Sequence, residues 1–501
     1  MTRPSRPAMA IISPWCSPVC ATSGIKRLAA SFLLLLAAGR LRAQSFPALA
    51  ETVFSSAPFQ NATVGAIFVS LDDGATFYSR NPLMPLIPAS NAKLATTAAA
   101  LERLKPDFRF KTSFLIDRDD VGKETLTALV WRGRGDPSIS GRGRSSPCEI
   151  FELWAASMTA MGIHKVNKLV LDNRYFEDPA AEPSWPAQEL SYWYAAPTSA
   201  ISFNDNCVGL EFIPGARPGR RPKIVLTPDF KFIKVVNHAA TAAAGSAFTM
   251  DYRRAPGTNA VNFFGSIAAA GPVRSDFVSV DQPAIFAASG LRHAWKSRGV
   301  KLGKAVAWEK ARLSEDRLEE LFLWESEPLA GIIRVVNKNS QNLYAEQLLK
   351  TLGKEAGGRG SFAAGSAVVG RFLAQAGLDE SDHHLIDGSG LSEDNRLTAS
   401  GIVRLLRFMR SSPLFPIYHE SLAVPGVDKS VRNRMKGDAL AGRMRVKPGT
   451  VAGARNLSGY LQSRSGKDYA FSVLVNGPGL DRRAVDEAVD RLCLAAAHQL
   501  P

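Results

Sequence analysis

The pattern of apolar and polar positions predicts a hairpin and a buried helix near the start of the chain. Val64–Leu71 and Ala75–Ser79 are two apolar runs joined at Asp72-Asp73-Gly74, a combination that is typical of a β-hairpin. From Pro88 to Leu104 the chain is small or apolar, and this run predicts a helix that is buried in the protein.

The end of the chain shows a matching pattern. Leu457–Gln462 and Tyr469–Val475 predict two strands, and Arg483–His498 predicts a terminal helix. Neither pair of strands is large enough to be stable alone. We therefore predict that the early hairpin and the late strands share one antiparallel sheet with helices packed on it, a mixed α/β (α+β) fold.

The middle of the chain differs from both ends. Residues 106–325 contain short strand patterns, many turns and several Pro/Gly clusters, with few helical patterns. Because the two ends must meet in one sheet, we predict a main domain of residues 44–105 and 326–501. A mostly β domain of residues 106–325 is then inserted into it, and could contain a nested module at about 209–280.

The first 43 residues have the features of an export signal. Lys26 and Arg27 precede the apolar run Leu28–Ala38, and small residues allow cleavage after Ala43. This run is too short to span a bilayer, which argues against the alternative of a membrane anchor. We therefore predict a periplasmic or otherwise extracytoplasmic protein.

Charge and cysteine content exclude several classes of function. Residues 1–43 contain six of the basic residues and no acidic residue, so the net charge of +15 falls to +9 without them. No basic run is interleaved with aromatic residues, so we predict no nucleic-acid partner and at most loose association with a membrane surface. Cys148, Cys207 and Cys493 are scattered, which favours buried free thiols over one disulfide pair. No metal-binding spacing is present, and we predict neither a metal nor a cofactor.

The candidate chemistry starts at Ser90 and Lys93. They are three residues apart at the start of the predicted helix, so both side chains should lie on one face. A buried lysine can lose its proton and then serve as the base that activates a serine nucleophile. The Ser-x-x-Lys pattern is weak alone, because Ser23 and Lys26 show it as well.

Two further motifs follow in order. Ser340-Gln341-Asn342 forms a polar corner between two apolar helical segments, and Lys447-Pro448-Gly449 leads into Thr450. Ser202-Phe203-Asn204 also has the Ser-x-Asn pattern, but it lies in the predicted insertion. We therefore prefer Ser340 and Asn342 as the second motif.

Together these motifs resemble the S-x-x-K, S-x-N and K-T-G motifs of penicillin-binding proteins and serine β-lactamases. The long gap between the first two motifs, Ala345-Glu346 and the Asp387–Ser392 loop are similar to the class C low-molecular-mass penicillin-binding proteins. These are D-alanyl-D-alanine carboxypeptidases and endopeptidases. The resemblance implies a transpeptidase/β-lactamase-like domain, in which an antiparallel sheet is flanked by helices and joined by a helical subdomain.

The resemblance also implies roles for the motif residues. Ser90, Lys93, Ser340, Asn342 and Lys447 would be catalytic, with Ser90 as the nucleophile. The substrates would be peptidoglycan stem peptides, and β-lactams would bind covalently. A serine β-lactamase and a non-catalytic cell-wall-binding protein are the alternatives.

Further residues would bind the substrate if the resemblance holds. Gly449 and Thr450 would line the cleft, and the Thr450 N–H would contribute to the oxyanion hole. Glu189 and Tyr194 fall where the family places an acidic and an aromatic residue beside the substrate side chain. Glu189 could pair with a free amine there, or could simply be exposed.

Pro448 departs from the family motif, which has a threonine there. The hydroxyl that would donate to the substrate carboxylate is therefore missing. N–H groups two residues apart in a strand point to the same side, so Pro448 should face the cleft together with Thr450. We expect a folded, penicillin-binding enzyme that is slower by about ten- to a hundredfold.

Overall fold

The computed structural model describes residues 45–177 and 179–501, so the predicted export signal lies outside the described residues. The described chain divides into two compact units. One spans Arg109–Glu327 and is called the insertion unit here. The other contains residues 45–108 and Pro328–Pro501, and is called the main unit.

The described residues form ten α-helices, and six of them lie in Pro328–Pro501 of the main unit. In chain order they are α1 (Phe46–Phe54), α2 (Ala92–Leu104), α3 (Glu149–Ala160), α4 (Pro283–Ser297), α5 (Leu329–Lys338), α6 (Asn342–Gly357), α7 (Phe362–Gln375), α8 (Ala399–Ser411), α9 (Phe415–Ser421) and α10 (Arg482–Gln499).

The described residues also form a series of strands, most of them short and in the insertion unit. They are β1 (Thr63–Ser70), β2 (Thr76–Arg80), β3 (Lys111–Asp117), β4 (Thr125–Leu126), β5 (Leu129–Arg132), β6 (Lys165–Asp172), β7 (Cys207–Ile213), β8 (Lys223–Thr227), β9 (Lys234–Asn237), β10 (Ala240–Ala242), β11 (Asp251–Arg254), β12 (Ala260–Phe264), β13 (Ser266–Ala268), β14 (Arg274–Ser279), β15 (Lys301–Ala307), β16 (Leu318–Glu325), β17 (His383–His384), β18 (Arg396–Leu397), β19 (Met444–Val451), β20 (Ala454–Gln462) and β21 (Asp468–Asn476).

The main unit is built on one antiparallel sheet with the strand order β19-β20-β21-β1-β2. β1 pairs with β21 along its whole length, from Thr63 opposite Asn476 to Ser70 opposite Tyr469. The predicted union of the early hairpin with the late strands is therefore confirmed. The order leaves β19 as an edge strand, and the third motif lies on it.

Helices cover the sheet of the main unit and build its core. α1 and α10 contribute apolar side chains such as Phe46 and Leu492, which pack with Phe471 of β21. α8 contacts β1 and β21, and α2 is surrounded by α5, α6 and α7. This packing buries α2, because its residues are small enough for the helices to approach closely.

The insertion unit is mostly β, as predicted. Its largest sheet has the strand order β15-β6-β5-β3-β16, with β4 also paired to β6. α3 and α4 contact each other beside an aromatic core. Phe114, Trp131 and Trp154 form its centre, with ring centroids 5.1–5.8 Å apart.

Two features bear on the sequence expectations about cysteines and membranes. Cys148, Cys207 and Cys493 are buried free thiols. Within residues 45–177 and 179–501, no helix combines the length and apolar character needed to cross a membrane.

Candidate active site

Ser90 lies in a short turn immediately before helix α2. Ala89–Asn91 form a single 3-10 turn, and the α-helix begins at Ala92. Ala89 has a φ of 45°, a left-handed conformation that is uncommon for a residue other than glycine. The turn leaves the Ser90 side chain half-buried, while the following residues enter the core.

The amine of Lys93 joins three parts of the main unit. Its Nζ lies 2.9 Å from Ser90 Oγ, 2.7 Å from Asn342 Oδ1 and 2.8 Å from the Ser389 carbonyl oxygen. The Asn342 and Ser389 oxygens can only accept hydrogen bonds. A neutral amine has two N–H groups and one lone pair, so these two acceptors leave the lone pair for the Ser90 hydroxyl.

Burial dominates the protonation of Lys93. The side chain is completely buried, and this burial lowers the pKa of the Lys93 amine to about 7. The carboxylates of Glu346 and Asp387 act in the opposite direction and raise that pKa. Near neutral pH, a substantial fraction of Lys93 is therefore the neutral amine that can accept a proton.

Glu346 and Asp387 are functional candidates that the sequence analysis missed as individual residues. Both are completely buried. The Glu346 carboxylate accepts hydrogen bonds from the N–H groups of Gly388 and Ser389, at 2.7 and 2.8 Å. It thereby holds the segment whose Ser389 carbonyl accepts from Lys93. The position of Glu346 beside Leu343, Leu348 and Leu349 in α6 was the available signal.

The Asp387 carboxylate stabilises the same loop by accepting hydrogen bonds from other residues of that loop. It accepts from the N–H groups of Gly390 and Ser392, each at 2.7 Å, and from the Asn395 side chain at 2.9 Å. At Gly390 an added Cβ would lie only 1.8 Å from the Ala89 carbonyl oxygen. The loop is therefore in close contact with the turn that carries Ser90.

Ser340 and Lys447 form a second lysine–serine pair. Lys447 Nζ donates to Ser340 Oγ at 2.8 Å and to the Pro448 carbonyl at 3.0 Å. Ser340 has a φ of 56° between α5 and α6, which gives the polar corner its shape. Burial and the nearby Lys93 lower the pKa of Lys447 well below its usual range, which reduces the positive charge of its amine at neutral pH.

Asn91 ties the two lysine–serine pairs together. Its side-chain amide donates to the Lys447 carbonyl at 2.7 Å, and its Oδ1 accepts from the Ser458 hydroxyl at 2.6 Å. At Gly449 an added Cβ would lie 2.7 Å from the Pro88 carbonyl oxygen. Gly449 therefore allows β19 to approach the Ser90 turn, a packing role that the sequence did not indicate.

The hydrogen bonds of Val446 show which way the backbone groups of Pro448 and Thr450 face. The N–H and C=O of Val446 bond to Ala423, at 2.8 and 3.0 Å, and therefore point away from β20. Residues two positions apart share this direction. The Pro448 nitrogen and the Thr450 N–H thus face the open edge, and Pro448 removes no hydrogen bond between β19 and β20.

The alternative second motif has a different environment. Ser202 is buried in the insertion unit. Its hydroxyl donates to the Ser199 carbonyl at 3.0 Å and accepts from the Asn206 amide at 3.1 Å. These contacts stabilise a local turn, whereas Ser340 contacts the third motif.

Glu189 and Tyr194 lie near each other in the insertion unit. Burial, with a further contribution from the Glu189 charge, raises the pKa of the Tyr194 hydroxyl. The Tyr194 ring stacks on Tyr192, with centroids 5.4 Å apart and an interplanar angle of 14°. The acidic and the aromatic residue that the family resemblance indicated are thus neighbours in space.

Comparison with known proteins identifies relatives along most of the chain. Residues 48–499 match the model of the D-Ala-D-Ala carboxypeptidase 3 (S13) family. A D-alanyl-D-alanine carboxypeptidase from an Actinomadura species is 32% identical over 473 residues, covering 90% of this chain and 85% of the relative. The D-alanyl-D-alanine carboxypeptidase DacB of Haemophilus influenzae is 24% identical, covering 83% and 86%.

A solved structure supports the same fold. The crystal structure of penicillin binding protein 4 (dacB) from Haemophilus influenzae superposes with a TM-score of 0.78 at 22% identity. The match covers 89% of this chain and 99% of that one. The family match and the ordered motifs agree, and this chain belongs to the D-Ala-D-Ala carboxypeptidase 3 (S13) family.

Proposed function

We propose that this chain is a serine D,D-peptidase that cleaves the bond between two D-alanine residues in peptidoglycan stem peptides. The observation that carries the proposal is the environment of Lys93. The Lys93 amine donates its two N–H groups to two oxygens that can only accept hydrogen bonds, and its lone pair is left for Ser90 Oγ. Such an amine is arranged to take the serine proton.

The reaction would proceed through an acyl-enzyme. Ser90 Oγ forms a bond to the scissile carbonyl carbon as its proton passes to Lys93. The developing oxyanion would be stabilised by the N–H groups of Ser90 and Thr450. The C–N bond then breaks, and the proton taken up by Lys93 passes to the departing D-alanine amine through Ser340, whose hydroxyl accepts from Lys447. Water hydrolyses the ester and restores Ser90.

Covalent reaction with penicillin tests this function directly. We expect a fluorescent penicillin to label the purified protein, and mass spectrometry to show one adduct that persists for hours. A rapidly lost adduct would instead indicate a β-lactamase. A protein that forms no adduct and releases no D-alanine would be a cell-wall-binding protein, and the proposal would be wrong.

The proposed substrates require the enzyme to act outside the cytoplasm. We propose that residues 1–43 direct export and are removed, so that the mature chain begins at Gln44. N-terminal sequencing of protein recovered from the extracytoplasmic fraction checks this. A chain that retains Met1 in the cytoplasm contradicts the export proposal but leaves the peptidase proposal intact.

The two compact units suggest how the mature chain is organised. We propose that residues 106–325 form a self-contained insertion. Limited proteolysis should then cut near its edges or in its Pro/Gly loops first. Early cleavage within α5, α6, β20 or β21 would argue against this organisation.

A further inference from the structure

The Thr450 side chain has a cationic partner on the neighbouring strand. Thr450 of β19 and Arg455 of β20 lie opposite each other, and Arg455 Nη1 donates a hydrogen bond to Thr450 Oγ1. Because the hydroxyl accepts from Arg455, its own hydrogen remains free to point elsewhere. The pair therefore presents a donor beside the open edge of β19.

The guanidinium of Arg455 is held in one orientation by α10. Arg455 Nε and Nη2 donate to the two carboxylate oxygens of Asp486. Together with the bond to Thr450, these contacts use three of the five N–H groups of the guanidinium. In the described part of the chain no further partner of the guanidinium is found, which leaves two N–H groups for a ligand.

Arg455 belongs to a cluster of two arginines and two aspartates. Asp486 also pairs with Arg434 at 2.9 Å, and Arg434 pairs in turn with Asp490 at 2.7 Å. The Arg455 side chain is 21% exposed, which allows a ligand to reach it while most of its water is excluded. Hydrogen bonds from such a group to an anion are stronger than those between neutral groups.

The position of this pair fits the carboxylate that the proposed reaction requires. Side chains alternate along a strand, so those of Pro448 and Thr450 lie on one face of β19, opposite Lys447 and Gly449. A threonine at position 448 would present its hydroxyl on that face. Arg455 approaches the same face through Thr450.

We propose that Arg455, together with Thr450, binds the terminal carboxylate of the substrate and takes the place of the hydroxyl that Pro448 lacks. This inference rests on the proposed D,D-peptidase function. The expectation of a slow enzyme assumed that no other group replaces that hydroxyl. With Arg455 in this role, the Pro448→Thr substitution raises the rate by less than about threefold, since the carboxylate already has its partner.

Two penicillins that differ only in the carboxylate test the inference. The acylation rate constants of the full mature chain are measured with benzylpenicillin and with its methyl ester. In Arg455→Gln we expect the rate with the free acid to fall about ten- to a hundredfold, and the rate with the ester to change less than about threefold. Arg483→Gln is the matched control, because Arg483 is an exposed arginine that pairs with Glu487 on the same helix α10.

Each outcome supports or overturns the inference. Equal losses for acid and ester in Arg455→Gln mean that Arg455 only stabilises the fold, and overturn it. If that variant does not fold, Pro448→Thr decides alone, since a gain above about tenfold with the free acid shows that nothing had replaced the hydroxyl. A wild-type protein that reacts with neither compound overturns the proposed function as well, whereas an active wild type confines any failure to Arg455.

Discussion

The two buried lysine–serine pairs of the main unit differ in how they are assembled. Lys93 and Ser90 are three residues apart, and one turn brings them together. Lys447 and Ser340 are 107 residues apart, and only the packing of β19 against the corner before α6 makes their contact. Similar distances between amine and hydroxyl, 2.9 and 2.8 Å, are thus reached by local and by long-range structure.

The surroundings of the two amines differ more than their distances. Lys93 is near two buried carboxylates, Glu346 and Asp387, whose charges oppose the effect of burial on its pKa. For Lys447, burial and the charge of Lys93 both lower the pKa. The first amine is therefore subject to opposing influences, whereas burial and the Lys93 charge both favour the neutral form of the second.

The largest effect is expected at Ser90. Ser90→Ala removes the nucleophile but only one small polar group, so penicillin acylation and D-alanine release should both be lost while the fold remains. Mass spectrometry of the labelled protein and circular dichroism check this. A remaining penicillin adduct on another serine would contradict the assignment of Ser90.

Breaking the second pair should cost less. Ser340→Ala removes the proposed proton relay to the leaving amine, and kcat/KM on a D-Ala-D-Ala peptide should fall by about 10²–10⁴. Ser202→Ala is the matched control, since Ser202 heads the other Ser-x-Asn sequence and its hydroxyl bonds to Ser199 and Asn206 of its own turn. If Ser202→Ala reduced kcat/KM as much as Ser340→Ala, the choice of the second motif would be wrong.

The contribution of Glu346 to the first pair can be tested through the pH dependence of acylation. With the pKa of Lys93 lowered to about 7 by burial, the acylation rate should rise with pH through about 7, as the amine loses its proton. Burial and the charge of Asp387 raise the pKa of Glu346 to about 8, so part of its negative charge is present near neutral pH. Glu346→Gln removes that charge, whose effect is to raise the pKa of Lys93, so the rising part of the profile should move to lower pH. Penicillin acylation rates are measured between about pH 5 and about pH 9, which covers roughly two pH units on either side of the Lys93 pKa.

A structural effect of the Glu346 change can be separated from an electrostatic one. Loss of the two N–H contacts to Gly388 and Ser389 alone would lower the rate at every pH and leave the profile in place. Glu355→Gln, at an exposed position of the same helix, is the matched control. A wild-type profile in Glu346→Gln would rule out an influence of Glu346 on Lys93.

The smallest effect is expected in the insertion unit. We propose that Glu189 pairs with the free side-chain amine of the stem peptide beside Tyr194. Because such a pair is partly exposed, Glu189→Gln should weaken turnover of peptides with a free amine by only about twofold to fivefold. Turnover of the acetylated peptide should be unchanged, and an equal loss on both peptides would mean that Glu189 has a structural role.

The sequence predicted the elements of the site better than their connections. The strands β1, β2, β20 and β21 and the terminal helix α10 were predicted within a few residues, because their apolar periodicity is local and strong. Helix α1 was not predicted. The start of the helix after Ser90 was predicted less accurately. The left-handed Ala89 produces a separate turn before α2, and apolar periodicity carries no information about such a backbone conformation.

By itself, the sequence determined three ordered motifs, a buried helix after Ser90, and the expectation that Pro448 and Thr450 face the same side of their strand. Tertiary structure alone decided how the charges are balanced. Glu346 reaches Lys93 through a loop 42 residues further along the chain, and Arg455 reaches Thr450 from the adjacent strand β20. Electrostatic effects depend on distance and burial in space, and chain order specifies neither.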